Sequence, residues 1–349
     1  MAASSAPLIS LIFLSSLMLG SHVSAQTTPP LVSGLSYNFF RTTCPSLETT
    51  IRDYLREIFS SDFRVAAGIL RVHFHDCFVQ GCDGSVLLAG SASGPTEQQA
   101  PPNLALQTRA FVIINELRNR IHRACGAIVS CSDITAICAR DAVFLSGGPD
   151  YRIPLGRRDG TTFATRNATL ANLPFFGSSA RQLTADFARK GLDVNDLVAL
   201  SGGHTIGRAN CGSFVGRLYP TRDPTLETNF ANDLTRVCPT NTSQGIQVQD
   251  IRTPNVFDNA YYVDLVNRQG LFTSDQDLFT DSTTRPIVQR YANNQTLFFE
   301  RFAFSMIKMS MMSVLTGTQG QIRSNCERIN SGASTYMETP VDGGRSAAY

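Results

Sequence analysis

Nine cysteines in a chain of 349 residues constrain the fold more than any other feature of this sequence. Residues 8–19 form an apolar run broken only by serines, and Val23-Ser24-Ala25 then supplies the small residues typical of a signal-peptide cleavage site. These twelve residues are too few to cross a bilayer, which needs about 20 as a helix. We therefore expect a signal peptide at residues 1–25, an oxidising compartment and a set of disulfide bonds.

The number of cysteines does not determine how they pair. Eight paired cysteines allow roughly 105 connectivities, and the ninth must remain free. Cys138 is the best candidate for the free thiol, because it lies in a mostly apolar helical stretch where a small buried thiol packs easily. Sequons at Asn167, Asn241 and Asn294 agree with passage through a secretory pathway and predict a glycoprotein.

The composition excludes some classes of partner. Hydrophobic residues make up 42% of the chain and charged residues 17%, which is typical of a globular protein. The net charge is only +2 and no block of like charge occurs, so nothing favours a nucleic acid as the partner. After the leader, no segment is long and apolar enough to be a membrane span.

Apolar residues recur mainly at helical spacing. Leu47, Ile51, Leu55 and Ile58 follow one another at intervals of four, four and three, which predicts an amphipathic helix. Further helices are predicted around 113–121 and over 65–70, 132–146, 179–190, 195–200, 258–268 and 297–312. Residues 151–155 are the best candidate for a strand. The pattern indicates an almost all-α protein.

The last stretch, residues 331–349, is rich in Ser, Gly and Ala and has no periodic apolar pattern. Such a composition is typical of a disordered tail. A removable targeting extension is the alternative, and the sequence does not choose between them.

The first concentration of chemistry is the segment Arg71-Val-His-Phe-His75-Asp76-Cys77. If the preceding helix continues, Arg71 and His75 are four residues apart and share a face. A cation fixed beside an imidazole suits proton transfer and the stabilisation of developing negative charge. His73, two residues from His75, lies about 200° away around a helix, which argues against a zinc site shared by the two histidines and Asp76.

The loop after this helix favours calcium over zinc. Cys77 and Cys82 fit a small disulfide loop in a secreted protein better than a zinc site. Asp76, Asp83 and Ser85, with the carbonyl groups of a glycine-bearing loop between them, resemble the oxygen cage of a hard cation.

The second concentration of chemistry surrounds His204. A lone histidine on an apolar helix is usually a core residue, but this one follows Gly202 and Gly203, which remove side chains and would let a flat, bulky group approach the backbone. The segment Ser274-Asp275-Gln276-Asp277 supplies a carboxylate that could accept a hydrogen bond from the second ring nitrogen of His204, as ligating histidines need. An oxygen-rich loop at residues 250–258 lies between them in sequence.

Taken together, these motifs resemble class III plant peroxidases. The resemblance rests on residues 71–85, the Ser-Gly-Gly-His-Thr segment at 201–205, the Gly-Arg-Arg-Asp turn at 156–159, the Thr-Gly-Thr-Gln-Gly-Gln-Ile-Arg segment at 316–323 and the spacing of eight cysteines. It spans about residues 35–329. It implies one plant haem peroxidase domain over residues 26–330, all-α, with two lobes sandwiching the haem and a minor short β-hairpin.

The resemblance implies a role for each residue around a haem b. On one side of the haem, His75 is the catalytic acid–base group, Arg71 stabilises separated charge, and Asn103 accepts a hydrogen bond from His75. Glu97 supports Asn103, and Phe74 packs over the haem.

On the opposite side, the resemblance makes His204 the axial iron ligand, as peroxidases use a proximal histidine, with Asp275 bonded to its other nitrogen. Pro174 matches the proline at the edge where substrates bind. Phe176 stands where the family usually has a second proline, and Gln249 stands where an apolar residue is common.

The family also carries two calcium ions and four disulfides. The implied ligands of the first calcium are Asp76, Val79, Gly81, Asp83 and Ser85, and those of the second are Thr205, Asp250, Thr253, Val256 and Asp258. The implied disulfides are Cys44–Cys125, Cys77–Cys82, Cys131–Cys326 and Cys211–Cys238.

The activity implied is reduction of hydrogen peroxide with oxidation of small phenolic donors in two one-electron steps, by a monomer secreted to the cell wall or apoplast, with the vacuole left open. The suggested roles are oxidation of lignin and cell-wall phenols and removal of peroxide under oxidative stress. The alternative is a secreted binding or structural glycoprotein that keeps the fold without catalysis. A Soret band that shifts on addition of peroxide separates the two.

Overall fold

The computed structural model describes residues 28–90 and 96–330, so the predicted signal peptide at 1–25 and tail at 331–349 lie outside the described residues. Helices dominate, as the sequence pattern predicts. The α-helices are α1 Leu47–Ser61, α2 Val65–Val79, α3 Thr108–Cys125, α4 Cys131–Leu145, α5 Arg166–Asn172, α6 Ala180–Arg189, α7 Val194–Ser201, α8 Thr228–Val237, α9 Ala260–Val266, α10 Thr273–Thr280, α11 Arg285–Asn293 and α12 Gln295–Met309.

Helix α4 lies at the centre of the first half of the chain. It packs against α1, α2 and α3, and every residue from Cys131 to Val143 is buried. Ser130 caps its N-terminus by accepting a hydrogen bond from the Asp133 amide, and Gly147 follows its C-terminus with a φ of 101° that favours glycine. The second half is organised by contacts of α9 with α11 and of α7 with α12.

The Gly-Arg-Arg-Asp turn is a structural element that joins distant segments. The buried Arg157 guanidinium donates to Asp133 in α4 at 2.8 Å, and Asp159 accepts the amide N–H groups of Cys131, Ser132 and Arg323. Burial raises the pKa of Asp159, while Arg323 and these amides oppose the rise. The turn therefore fixes the start of α4 against the C-terminal segment.

The strand prediction for residues 151–155 is wrong. This segment is extended, but only Leu155 forms a bridge, to Ser36. Two strands form elsewhere, β1 Arg208–Asn210 and β2 Ile246–Val248, and they pair antiparallel. They are separated by α8 rather than joined by a tight turn, so the expected hairpin is instead a long-range pair. A strand needs a partner, and periodicity alone does not locate one.

Four short helices, α5, α8, α10 and α11, were not predicted. In α8 only Phe230, Ala231 and Leu234 are buried, among polar neighbours. Its N-terminus is fixed by the Glu227 side chain, which accepts the Asn229 and Phe230 amides. Helices of seven to ten residues depend on such caps and on tertiary packing more than on a long apolar repeat.

The structure contains four disulfides, Cys44–Cys125, Cys77–Cys82, Cys131–Cys326 and Cys211–Cys238, the same pairs that the family resemblance implies. Cys138 is the free cysteine and is buried in α4. The Cys131–Cys326 bond closes a separation of 195 residues, so it ties α4 to the C-terminal segment. No helix within residues 28–90 and 96–330 has the length and hydropathy that crossing a membrane requires.

Candidate active site

Helix α2 is buried on every side except one narrow stripe. Its partly accessible residues are Ala67, Gly68, Arg71 and Phe74. Residues spaced by three and four share a helix face, so His75 belongs to this same face. Arg71 therefore lies on the open stripe, whereas His75 lies on the same face of the helix but is buried, at 4% exposure.

A second accessible stripe runs from the end of α7 into the 3₁₀ turn at Gly202–Thr205. Its members are Leu200, Gly203, His204 and Gly207, again spaced by three and four. The two stripes approach each other at one end. A Cβ atom at Gly203 would lie 3.5 Å from Leu70, and one at Gly207 would lie 3.2 Å from Ala67. The segments that carry His75 and His204 therefore lie next to each other at this end, and the space beside their accessible residues is called the slot.

The orientation of His75 is fixed by a chain of hydrogen bonds. Its Nδ1 lies 2.6 Å from Oδ1 of Asn103, and the Asn103 amide is oriented because its Nδ2 donates to the Glu97 carbonyl oxygen at 2.8 Å. Because Oδ1 only accepts, Nδ1 of His75 carries the proton and Nε2 keeps its lone pair. Glu97 supports this arrangement through its backbone carbonyl rather than through its carboxylate.

Arg71 is held beside the unprotonated nitrogen of His75. Its Nε donates to His75 Nε2 at 3.1 Å, and its terminal nitrogens donate to the carbonyl oxygens of Ala105 and Pro102. Burial lowers the pKa of the guanidinium although the residue keeps exposed surface.

Electrostatics keeps His75 neutral. Burial and the Arg71 charge lower the pKa of His75 to about 3, and the Asn103 hydrogen bond offsets only part of this. A neutral imidazole with an unprotonated nitrogen can accept a proton. His73 also has a pKa lowered to about 3, by burial and Arg157, but its ring contacts the sulfur of Cys77, away from the accessible stripe. It is a structural residue, as predicted from its position.

The orientation of His204 is also fixed. Its Nδ1 lies 2.7 Å from Oδ1 of Asp275, at the start of α10. The His204 side chain keeps 39% of its surface exposed, whereas the Asp275 side chain keeps 2%. The other ring nitrogen, Nε2, makes no hydrogen bond within the described part of the chain. A histidine held this way, with one nitrogen bonded to a carboxylate and the other free, suits a metal ligand.

The reason predicted for Gly202 is wrong. A Cβ atom there would collide with the Tyr262 hydroxyl and the Phe298 ring, so this glycine makes room for the protein core. Gly203 is the glycine that lies on the accessible stripe. The sequence could not distinguish the two, because the packing of Tyr262 and Phe298 against Gly202 is non-local.

The slot has the properties that a haem requires. A flat macrocycle needs apolar surroundings: the Phe74 ring packs edge-on against His75 with the centroids 5.2 Å apart, and Leu70 lies beside Gly203. The macrocycle also needs one nitrogen ligand, which Nε2 of His204 offers. The Phe272 ring packs edge-on against His204 at 5.4 Å. The residues present therefore fit a haem bound through His204.

The first predicted calcium site is a cluster of buried oxygens. Burial and the neighbouring Asp83 raise the pKa of Asp76 well above its usual value, and burial also raises that of Asp83. The Ser85 hydroxyl lies near the carboxylates of Asp83 and Glu97 without an aligned hydrogen bond to either. Gly81, with φ of 124°, turns the chain where a Cβ would collide with Ser313. Carboxylates buried together in this way fit a bound cation.

The second predicted calcium site has converging side-chain oxygens. The Thr205 hydroxyl lies 3.0 Å from Asp250 Oδ2 and 3.3 Å from Asp258 Oδ1, and the Thr253 hydroxyl lies 3.5 Å from the same Asp250 oxygen. Thr205 follows His204 directly in the chain. The Val256 side chain has no oxygen that could bind calcium, and the Val256 amide donates a hydrogen bond to the Thr253 carbonyl oxygen.

Within the described ranges, no three His, Cys, Asp or Glu side chains form a metal-binding group. Both predicted calcium sets contain only two carboxylates and take their other oxygens from hydroxyl and carbonyl groups. A calcium site of this composition does not depend on a third carboxylate.

The segment of the predicted substrate edge lies beside Phe272, with the Phe176 and Phe272 ring centroids 6.0 Å apart. Pro174 is partly buried, and Phe175 and Phe176 beside it are each 37% exposed. The Phe176 carbonyl accepts a hydrogen bond from the Ser274 amide at 3.0 Å, so this segment is tied to the helix that carries Asp275. Gln249 is buried to 9% exposure, and its side-chain oxygen lies 3.1 Å from where a Gly207 Cβ would be.

The sequence did not identify Asp264 as part of the site. Its carboxylate accepts from the Ile251 amide and from Arg252 Nε, both in the loop that begins with Asp250. Burial and Asp250 raise the pKa of Asp264 to about 7. Asp264 follows the loop in α9, and a lone aspartate on a helix gives no signal of such a contact.

Comparison with known proteins identifies what the chain resembles. A family model described as Peroxidase matches residues 51–294. Peroxidase 12 of Arabidopsis thaliana is 62% identical over 316 residues, which cover 90% of this chain and 87% of that protein. Cationic peroxidase SPC4 of Sorghum bicolor is 53% identical over 314 residues, with the same coverage. Peroxidase 71 of Arabidopsis thaliana is 43% identical, covering 91% of this chain and 96% of that protein.

Proposed function

The chain belongs to the peroxidase family and is a haem enzyme that acts on hydrogen peroxide; from this premise we propose that it is a secreted, calcium-containing enzyme that oxidises small phenolic donors one electron at a time. The observation that carries the proposal is the pair of oriented histidines on the two segments beside the slot. His75 presents a neutral, unprotonated nitrogen, which accepts a hydrogen bond from the Arg71 guanidinium. His204 presents a free nitrogen backed by a carboxylate.

His204 would hold the haem through Nε2, and the apolar side chains of the slot would cover its faces. A haem bound there supplies an iron centre that exchanges single electrons with peroxide and donor. Asp275 orients the His204 ring and makes it a stronger electron donor. The absence of a Cys-x-x-Cys-His motif in the sequence agrees with non-covalent attachment.

His75 moves a proton between the two oxygens of hydrogen peroxide. Its Nε2 lone pair accepts the proton of one oxygen and returns it to the other as the O–O bond breaks. Asn103 makes this possible because it holds the proton on Nδ1 and leaves Nε2 as the base. Acid–base catalysis of this kind contributes typically ~10²–10⁴-fold in rate.

Arg71 stabilises the negative charge that develops on the departing oxygen. Its guanidinium is anchored by two backbone carbonyls, so it needs little reorganisation during the reaction. Its partial desolvation strengthens its interaction with an anion in the slot.

Phenolic donors complete the cycle. Two phenols each give up one electron and one proton, and these reduce one hydrogen peroxide to two water molecules. We place their binding at the slot edge near Pro174, where the exposed rings of Phe175 and Phe176 offer an apolar surface to an aromatic donor.

The test is spectroscopic. The purified, haem-containing protein should show a Soret band that shifts when equimolar hydrogen peroxide is added and returns in two steps as a phenol such as guaiacol is added. A colourless protein, or a Soret band that does not shift when peroxide is added, would instead support a binding or structural glycoprotein that has kept the fold. A protein that reacts with peroxide but not with phenols would overturn only the donor assignment.

We further propose that two calcium ions hold the loops next to the catalytic histidines. Asp76 follows His75, and Thr205 follows His204, so each ligand set begins one residue from a histidine of the slot. A bound cation offsets the burial and the Asp83 charge that raise the pKa of Asp76, so it stabilises the ionised carboxylates. The loops then hold the two histidine segments in place.

Removal of calcium should lower both stability and activity. A site saturated at 100 times its Kd contributes about 2.7 kcal/mol, which is roughly 4 °C of Tm for a domain of about 300 residues. Chelation should therefore lower Tm by at least this amount per ion, change the Soret band and reduce turnover several-fold, with recovery when calcium is restored.

Two matched variants test whether the effect of calcium removal arises at the second predicted calcium site. Asp258→Asn should lower Tm and the calcium content measured by elemental analysis, whereas Asp53→Asn, on the exposed face of α1, should change neither. Unchanged activity, spectrum and Tm after verified loss of calcium would contradict the proposal.

Secretion is supported by the four disulfides, which form and persist in oxidising compartments. Edman sequencing or mass spectrometry of the protein recovered from the extracellular fluid should find an N-terminus at Gln26. Retention of residues 1–25 in the mature protein would contradict the cleavage assignment.

A further inference from the structure

The carboxylate that supports His204 has a second side-chain partner. Asp275 Oδ1 accepts from His204 Nδ1 at 2.7 Å and also from the Tyr261 hydroxyl at 2.9 Å. The other carboxylate oxygen accepts from the Phe272 amide at 2.9 Å. Tyr261 and His204 therefore share one oxygen atom.

Tyr261 is fully enclosed by protein. It is 2% exposed, and its ring stands edge-on to the His204 ring with the centroids 6.0 Å apart. Its helix, α9, packs against the 3₁₀ turn that carries His204 and against α10, which carries Asp275. The hydroxyl is thus held at Asp275 by the packing of three elements.

Two donors on one oxygen weaken each other. The Tyr261 hydroxyl draws electron density from Oδ1 and stabilises its negative charge, so the carboxylate attracts the His204 proton less strongly. When the hydroxyl is absent, the bond from His204 to Asp275 should strengthen. His204 then gains anionic character and becomes a stronger electron donor to a metal.

We propose that Tyr261 is a positioning residue that sets the electron-donating strength of His204 by sharing the Asp275 oxygen. The proposal rests on ligation of the haem iron by His204. Its consequence is a reduction potential of the ferric–ferrous couple that is higher than the His204–Asp275 pair alone would give. Tyr261 moderates the preference for the ferric state that Asp275 creates.

The chain offers a matched control in the next residue. Tyr262 is equally buried, but its hydroxyl donates to the Val198 carbonyl oxygen at 2.8 Å and makes no hydrogen bond to Asp275. Tyr261→Phe and Tyr262→Phe each remove one buried hydroxyl. Only the first removes a bond to the partner of His204.

The experiment is spectroelectrochemical titration of the three haem-containing proteins, with the iron–histidine stretch of the ferrous state measured by resonance Raman. Tyr261→Phe should shift the ferric–ferrous equilibrium about tenfold toward ferric, ~59 mV for one electron, and raise the stretching frequency. Tyr262→Phe should leave both as in the wild type. Equal values for Tyr261→Phe and wild type would overturn the proposal, as would equal shifts in both variants.

A second variant provides an independent test if Tyr261→Phe does not fold. Site-specific 3,5-difluorotyrosine at position 261 keeps the ring and strengthens the hydroxyl as a donor, so it should raise the potential and lower the stretching frequency. A shift in the same direction as Tyr261→Phe would overturn the proposal. Absence of any iron–histidine band in the wild type would instead count against His204 as the ligand, which is a failure of the proposed function.

Discussion

Replacing His204 with alanine is expected to abolish stable haem binding. The His204 ring is oriented by the hydrogen bond between its Nδ1 and Oδ1 of Asp275, which are 2.7 Å apart, and its Nε2 is left to bind the iron. Loss of a supporting partner of a ligand typically costs ~10–100-fold in affinity or activity, so loss of the ligand itself should cost more. The ratio of Soret to protein absorbance after dialysis against excess apomyoglobin measures the result.

Graded variants test the same idea. Asp275→Asn keeps the ligand but weakens its support, so it should lose haem more slowly than His204→Ala and faster than the wild type. His122→Ala, at an exposed position of α3, should retain haem fully. Added imidazole should restore a Soret band to His204→Ala. If His204→Ala kept haem as tightly as His122→Ala does, another residue would have to be the ligand.

The parts of the site that the sequence predicts are those that depend on local geometry. The spacing of Arg71 and His75 gives a shared helix face, and the same geometry separates His73 from them. The structure has Arg71 bonded to His75 and His73 against Cys77. A helical period and a four-residue interval are enough for this half of the site.

The parts that the sequence does not predict depend on backbone atoms and on distant packing. Arg71 is anchored by the carbonyl oxygens of Pro102 and Ala105, and Asn103 by that of Glu97. Every residue has a carbonyl group, so no side-chain pattern reveals these bonds. Gly202 was misinterpreted for a similar reason, because its neighbours Tyr262 and Phe298 are far away in sequence.

The hydrogen bond of the Tyr261 hydroxyl can be predicted only in part from the sequence. A buried tyrosine usually finds a hydrogen-bond partner, so its polar group could be anticipated from sequence once its burial is assumed. Its partner could not, since Tyr261 and Tyr262 are adjacent and bond to different segments. Which tyrosine reaches Asp275 follows from the rotation of α9 about its axis, and that is a property of the fold.

Replacing His75 with leucine is expected to leave haem binding intact while slowing the reaction with peroxide by ~10²–10⁴-fold. Leucine has a similar volume and no nitrogen, so the slot keeps its shape but loses the group that accepts and returns the proton. Arg71 remains, held by two carbonyls, and still stabilises charge. Stopped-flow measurement of the Soret change under excess peroxide gives the rate directly.

His73→Leu is the control, because it removes a second buried, neutral histidine from the same helix. Its pKa is lowered to about 3 like that of His75, but its ring contacts Cys77 and lies off the accessible stripe. Its peroxide rate should match the wild type even if its Tm falls. A His75→Leu variant as fast as His73→Leu would mean that the proton leaves peroxide through water or Arg71, and the acid–base role of His75 would have to be abandoned. A slow His75→Leu beside a fast His73→Leu would assign that role to the one imidazole whose Nδ1 is bonded to Asn103 and whose Nε2 faces the guanidinium.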